Sequence, residues 1–322
     1  MTKAKRKRLI YNLITFGLVI GFSGELSLGH AGFMSIGAYT GAIVSGWLLE
    51  AFDMQDPTLR LVLAILCGGV IAGIAGALIG IPVLRLRGDY LAIVTLAFGE
   101  IIRNLVNVLY VGTSDGKLHF AFLNKDLPAD VNMLVDGAKG AVKIKPISTF
   151  TVGFVLVIIT LIIVLNLVNS RAGRAIQATR DNRIAAESMG VSVTKYKMMA
   201  FVTAATLAGM AGALYGLNSS TVVPTQFTFN QSINVLVFVV LGGLGNVLGS
   251  IISATFLTVL PEVLREFADY RMLVYAVVLI LVMIFTNNPT TRALANRLFA
   301  PVKALFRKKA PANPEIKGGD AQ

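Results

Sequence analysis

Charge is scarce in this chain. Asp, Glu, Lys and Arg make up 14% of its 322 residues, against 55% hydrophobic residues. A soluble globular domain carries nearer a quarter charged residues, so that class is excluded. The single cysteine, Cys67, lies inside an apolar run, which excludes a disulfide framework and a cysteine metal cluster. The two histidines, His30 and His119, are far apart in sequence, so no metal site is expected. Hydrolytic constellations are missing too. The nearest approach to a phosphate-binding loop is GTSDGK at 112–117, but three residues separate its glycines and Leu118 follows Lys117 where Ser or Thr is required. The chain therefore reads as neither an enzyme nor a nucleotidase, and no cofactor is expected on it. Its apolar runs also lack period-two alternation, which excludes a transmembrane β-barrel.

What is present is a series of apolar runs at 60–82, 90–111, 148–168, 198–217, 232–260 and 272–286, with a longer one at 9–49. Runs of about 17–25 residues cross the hydrocarbon layer as helix. The expected fold is all-α, a polytopic membrane helical bundle. The net charge of +12 and mean hydropathy of +0.73 fit this reading. The basic residues are grouped beside the runs: Lys3, Lys5, Arg6, Lys7 and Arg8 before the first, and Arg292, Arg297, Lys303, Arg307, Lys308 and Lys309 after the last. Arg171, Arg174, Arg180, Arg183, Lys195 and Lys197 form a third group. Such flanks mark a cytoplasmic face that attracts anionic lipid, and nucleic acid is not an expected partner. The expected organisation is a basic cytoplasmic N-terminus (1–8), a permease domain (9–286) with a cytoplasmic loop (170–197), and a basic, partly disordered tail (287–322). A basic start before an apolar stretch also resembles a signal peptide, but SGELSLGHAG after it lacks a cleavage signature, so a retained first span is expected.

Placing the basic segments inside creates a parity problem. The 9–49 stretch is nearly two spans long yet must cross once, and 232–260 must return to the side on which it began. Both anomalies coincide with glycine-rich interruptions, GFSGELSLGHAGFMSIG (21–37) and LGGLGNVLGS (241–250). Broken or re-entrant segments solve both, and such backbone is tolerated at membrane depth only in protein or beside a cavity. The expected pathway-lining residues are Ser23, Glu25, Ser27, Gly29, His30, Gly242, Gly243, Gly245 and Asn246, with the two breaks meeting near the bilayer midplane. Ser23, Ser27 and Ser35 are expected to satisfy freed backbone groups. Glu100 and Arg103, one helical turn apart, are expected to pair. The spacings Gly69-xxx-Gly73, Gly76-xxx-Gly80 and Gly212-xxx-Gly216 read as helix-packing faces.

The segment RAIQATRDNRIAAESMG (174–190) is helix-prone and lacks proline. Asp181 or Asn182 is placed to cap a short helix, and Gly190 to follow its end. Small residues at Ala185 and Ala186 suit insertion into a protein cleft. Arg180, Asp181, Arg183, Ala185, Ala186, Met189 and Gly190 are therefore expected to dock a cytoplasmic partner.

The Ala185-Ala186-xxx-Gly190 spacing resembles the coupling-helix motif of bacterial ABC importer permeases, with Ile184 where the family carries Glu. SGELSLGHAGFMSIGAYTGA (23–42), RLRGDYLAIVTLAFGEIIR (85–103), GRAIQATRDNRIAAESMGVSVTKYKMMAF (173–201) and VLGGLGNVLGSIISA (240–254) closely resemble the branched-chain amino acid permeases of the M type. The resemblance implies a subunit of an ATP-driven importer for leucine, isoleucine and valine in the bacterial cytoplasmic (inner) membrane, with both termini cytoplasmic. It also implies the partners: a sister permease subunit forming a heterodimer, two ATP-binding subunits and an extracytoplasmic substrate-binding protein. Related permeases carry urea or short amides. A self-sufficient channel or secondary transporter is the alternative class. The docking segment and the absent nucleotide motif speak against it, since transport driven by ATP then needs a separate ATPase chain.

Overall fold

The computed structural model describes residues 27–86, 89–114, 116–122, 131–243, 245, 247–263, 277 and 280. The chain divides into two units, Met1–Glu266 and Phe267–Gln322. Of the second, only Val277 and Ile280 are described. The run expected at 272–286, the basic tail and the N-terminal segment through residue 26 therefore lie outside the described residues, apart from those two positions.

Nine α-helices are described: α1 (His30–Ala51), α2 (Pro57–Val83), α3 (Asp89–Asn107), α4 (Phe150–Asn169), α5 (Arg171–Asp181), α6 (Arg183–Ser188), α7 (Val193–Gly216), α8 (Phe229–Gly242) and α9 (Val247–Val263). Five of them, α1 to α4 and α7, are long and apolar enough to cross a membrane. The protein is a multi-pass membrane protein, as its composition requires. Helix starts follow local chemistry. Asp56 caps α2 by accepting the Thr58 N–H at 3.0 Å, and Pro57 takes the first helical position, where its missing N–H is harmless.

The helices α1, α2 and α7 pack together as the centre of the bundle. They meet through small residues because lipid supplies no hydrophobic drive between spans, so close backbone approach must substitute for it. A Cβ on Gly37 would collide with the Gly209 backbone, one on Gly209 with Ala72 and the Gly68 carbonyl, and one on Gly212 with the Met34 carbonyl. The expected packing glycines fall on this interface: Gly69 faces Met210, Gly73 faces Thr206, Gly76 faces Ala205 and Gly80 faces Met198, all on α7. Phe33 and Phe201 close the core edge-to-face, with centroids 5.6 Å apart. The opposite faces are apolar and exposed, as in the α2 stripe Val62, Leu66, Val70, Ile74 and Leu78.

The structure departs from the sequence expectation at two places. The stretch between α3 and α4, for which no strand was expected, carries a three-stranded antiparallel sheet in the order β2-β1-β3: β1 (Tyr110–Ser114), β2 (Lys117–Ala121) and β3 (Asn132–Asp136). Tyr110 pairs with Ala121 and with Asp136, and a bulge follows Val111. The sheet caps the end of the bundle. Trp47 Nε1 donates to the Gly116 carbonyl at 2.8 Å, and Ala141 and Val222 exchange backbone hydrogen bonds at 2.9 and 3.0 Å. The second departure is the first glycine-rich stretch. It is not interrupted through Gly37, because a continuous helix begins at His30. Gly32 and Gly37 are helical, and their missing side chains admit neighbouring backbone.

The glycine contacts differ in what opposes them, and this yields a test. Gly37 faces rigid backbone, whereas Gly46 faces the flexible end of Leu134. Gly37→Ala is expected to destabilise the purified protein by about 1–3 kcal/mol, and Gly46→Ala by much less. Thermal unfolding in detergent would measure both, and equal losses would contradict this account of the core.

Candidate functional site

Ser27 to Gly29 are non-helical, and Gly29 precedes α1 without a side-chain cap of its own. A helix start leaves backbone N–H groups without intrahelical partners. Neighbouring helices supply the acceptors. The Leu28 N–H donates to Thr95 Oγ1 at 3.0 Å, and the Ala31 N–H donates to Ser232 Oγ at 3.1 Å. Thr95 Oγ1 in turn donates to the Ala92 carbonyl at 2.9 Å. Gly29 lies directly against α3: a Cβ there would enter the Thr95 carbonyl, and Gly99 returns the close approach from the other side. Ser27 and His30 are buried at this junction, while Ser23 and Glu25 lie outside the described residues. The expectation that Ser35 caps freed backbone is corrected. Its Oγ is buried without a hydrogen-bond partner among the described residues, and Thr95 and Ser232 do that work. The free space beside Leu28, Glu100, Phe227 and Ser232 is about 10 Å³, enough for little more than one water centre.

The second break is a tight helical hairpin. Gly242 ends α8, Gly243 and Gly245 adopt φ of 89° and 86°, and α9 begins at Val247. Those backbone angles suit glycine alone. A Cβ on Gly242 would collide with the Ser250 backbone, so the two arms touch. Asn246 lies outside the described residues. The 14 residues of α8 rise only about 21 Å, less than the ~30 Å hydrocarbon layer. The first break contacts α8 at Ser232, near the helix start, and Gly242 lies ten residues further along, about 15 Å away. The described junction thus joins the first break to the start of α8 rather than to the hairpin turn. Glu100 and Arg103 form the expected ion pair at 2.7 Å.

At the end of the bundle away from the sheet, Asn182, one of the two expected caps, separates α5 from α6. It ends α5 and caps α6, its Oδ1 accepting the Ala185 N–H at 3.0 Å. Asp181 is the last residue of α5 and does not cap α6. Gly190 follows α6 with φ of 81°, a left-handed ending that glycine adopts without penalty because it has no Cβ. Arg183 and Glu187 pair across one turn at 2.9 Å. The faces of α6 differ from expectation in one respect. Ala186 is only 5% exposed and faces this chain's own fold, whereas Ile184 is 78% and Met189 83% exposed. Both side chains thus project from a basic surface instead of packing into the fold. Ile184 was not among the expected docking residues, although its apolar character amid charges was visible in the sequence.

The model of the family described as "Branched-chain amino acid transport system / permease component" matches residues 10–285. The chain belongs to this permease family. The high-affinity branched-chain amino acid transport system permease proteins LivM of Salmonella typhimurium and of Escherichia coli strain K12 are each 37% identical over 301 residues, covering 88% of this chain and 69% of theirs. A probable branched-chain amino acid transport permease protein LivM of Methanocaldococcus jannaschii is 23% identical over 272 residues, covering 73% of this chain and 74% of its own. No solved structure is a significant match. In this permease, the family match spans every described helix and both breaks, and ends before the basic tail.

The borrowed caps at the first break carry a measurable load. Ser232→Ala strands the buried Ala31 N–H and Thr95→Val the part-buried Leu28 N–H, so each is expected to destabilise the permease, by about 1–3 kcal/mol for Ser232→Ala and less for Thr95→Val. Thermal unfolding of the two variants would show whether Leu28 and Ala31 depend on these hydroxyls; stability matching the parent protein would mean that they do not.

Proposed function

We propose that this chain is one permease half of an ATP-driven importer for branched-chain amino acids. It sits in the bacterial cytoplasmic membrane and works with a sister permease, two ATPase subunits and an extracytoplasmic binding protein. The observation that carries the coupling role is α6, a capped six-residue helix with Ile184 and Met189 projecting from a basic surface. Basic side chains at Arg85, Arg171, Arg174 and Arg180 gather at that end, which supports a cytoplasmic orientation for it. The acidic and polar linker around Asp53 and Asp56, with the sheet, then faces outward. The family match and the names of the relatives support the substrate class. Among the described residues, the space beside Leu28, Glu100, Phe227 and Ser232 is too small for an amino acid, which fits a path completed by a second permease chain. ATP hydrolysis is assigned to the partner ATPases, and no cofactor is assigned to this chain.

Two experiments test the reading. Ala185→Asp and Met189→Asp place a charge on the exposed face of α6, where docking would desolvate it. Both are expected to leave the permease inserted, to abolish leucine uptake by the reconstituted importer and to release the ATPases on purification. Ala186→Asp is the poorer probe, since its carboxylate would enter this chain's own packing. Retained uptake and co-purification in both exposed variants would defeat the coupling role. In a Cys67→Ala background, Asp56→Cys is expected to react with an impermeant thiol reagent added outside intact cells, and Ser188→Cys only after the membrane is opened. Reaction of Ser188→Cys from outside would reverse the orientation.

A further inference from the structure

Arg60 stands in the first turn of α2 and is only 4% exposed. Its Nη1 reaches the Met54 carbonyl at a long 3.5 Å, and its Nε has no hydrogen-bond partner among the described residues. A buried guanidinium so poorly satisfied is costly. The nearby carboxylate does not relieve it. Glu50 accepts from Thr113 Oγ1 and Asn132 Nδ2, and no ion pair joins Glu50 to Arg60 among the described residues.

Arg60 lines a cavity of about 360 Å³ between α1, α2 and the sheet. That volume lies within the range of small-molecule sites, about 300–1,000 Å³. Leu49, Leu134, Val142 and Ile144 supply apolar walls, and Lys143 and Lys145 add positive charge. Lys143 adopts a φ of 57°, an uncommon backbone angle for a residue with a side chain, and strain of this kind gathers at ligand sites. Two donors already engage Glu50, and a carboxylate has about four acceptor positions, so it retains capacity for an ammonium group.

We propose that this cavity binds a zwitterionic aliphatic amino acid, with the carboxylate on Arg60, the ammonium on Glu50 and the side chain against the apolar wall. The site is distinct from the glycine breaks and goes beyond the proposed transport role. It depends on the cavity alone, so uptake by the complete importer and occupancy of this site can succeed or fail separately.

The test uses the assembled permease in membrane vesicles, without binding protein, carrying Val142→Cys and Cys67→Ala. Modification of the new cysteine by a methanethiosulfonate, which forms a mixed disulfide and releases methanesulfinate, is followed with leucine, leucinamide or inorganic phosphate present. Leucine is expected to slow the reaction several-fold, with leucinamide and phosphate inactive. Arg60→Met is expected to raise the half-protecting leucine concentration about tenfold or more, as loss of a charged hydrogen bond implies. Absence of protection by leucine would overturn the proposal, as would equal protection by leucinamide or by phosphate, or unchanged protection in a folded Arg60→Met variant. The ligand comparison needs no Arg60 variant, so it stands even if that substitution prevents folding.

Discussion

The close approach of α7 to α1 and α2 is the constraint on which the rest of the structure depends. In a bilayer the apolar faces of helices gain little by leaving lipid for one another, so association rests on packing and on backbone proximity. Gly37, Gly209 and Gly212 contribute no side-chain atom of their own where these helices cross, so neighbouring backbone comes close. With that triangle set, α3 comes to lie against Gly29 and Gly32, and the junction of α1, α3 and α8 follows. The apolar outer stripes of α2 and α4 are left for lipid or for another chain.

Much of the bundle was legible because membrane helices are written in long, simple patterns. The runs at 60–82 and 198–217 became α2 and α7 with ends shifted by a few residues. The short hairpin of α8 and α9 answers the parity problem posed by 232–260, and its turn falls on the glycines that announced it. The first break was read too widely. Glycine favours both an unwound backbone and tight helix contact, and only tertiary structure separates Gly29, at the break, from Gly37, inside a helix. The acceptors that complete the break were hidden for a related reason. Thr95 and Ser232 lie 67 and 201 residues from their partners, and no local pattern marks such a pairing.

The coupling segment shows the opposite balance. Capping is a local transaction between a side chain and the backbone two or three residues on, so Asn182 and Gly190 were readable directly. Which alanine faces outward was not, because a six-residue helix is too short to display a clear apolar face. The sheet escaped notice altogether. Its strands are five residues long, mixed in polarity, and carry glycine within β1, so they resemble the linkers around them.

The bridge between Ala141 and Val222 ties together positions 222 − 141 = 81 residues apart, with α4 to α7 threaded between them. A ribosome delivers the first partner well before the second. Until α7 has entered the bilayer and its exit has reached the far side, the Gly140–Val142 segment has backbone groups without their final mates. Contacts of such long sequence separation form late, and unpaired extended segments are prone to joining the wrong neighbour. The Ala141–Val222 bridge can therefore close only after α7 has been made and packed against α1 and α2.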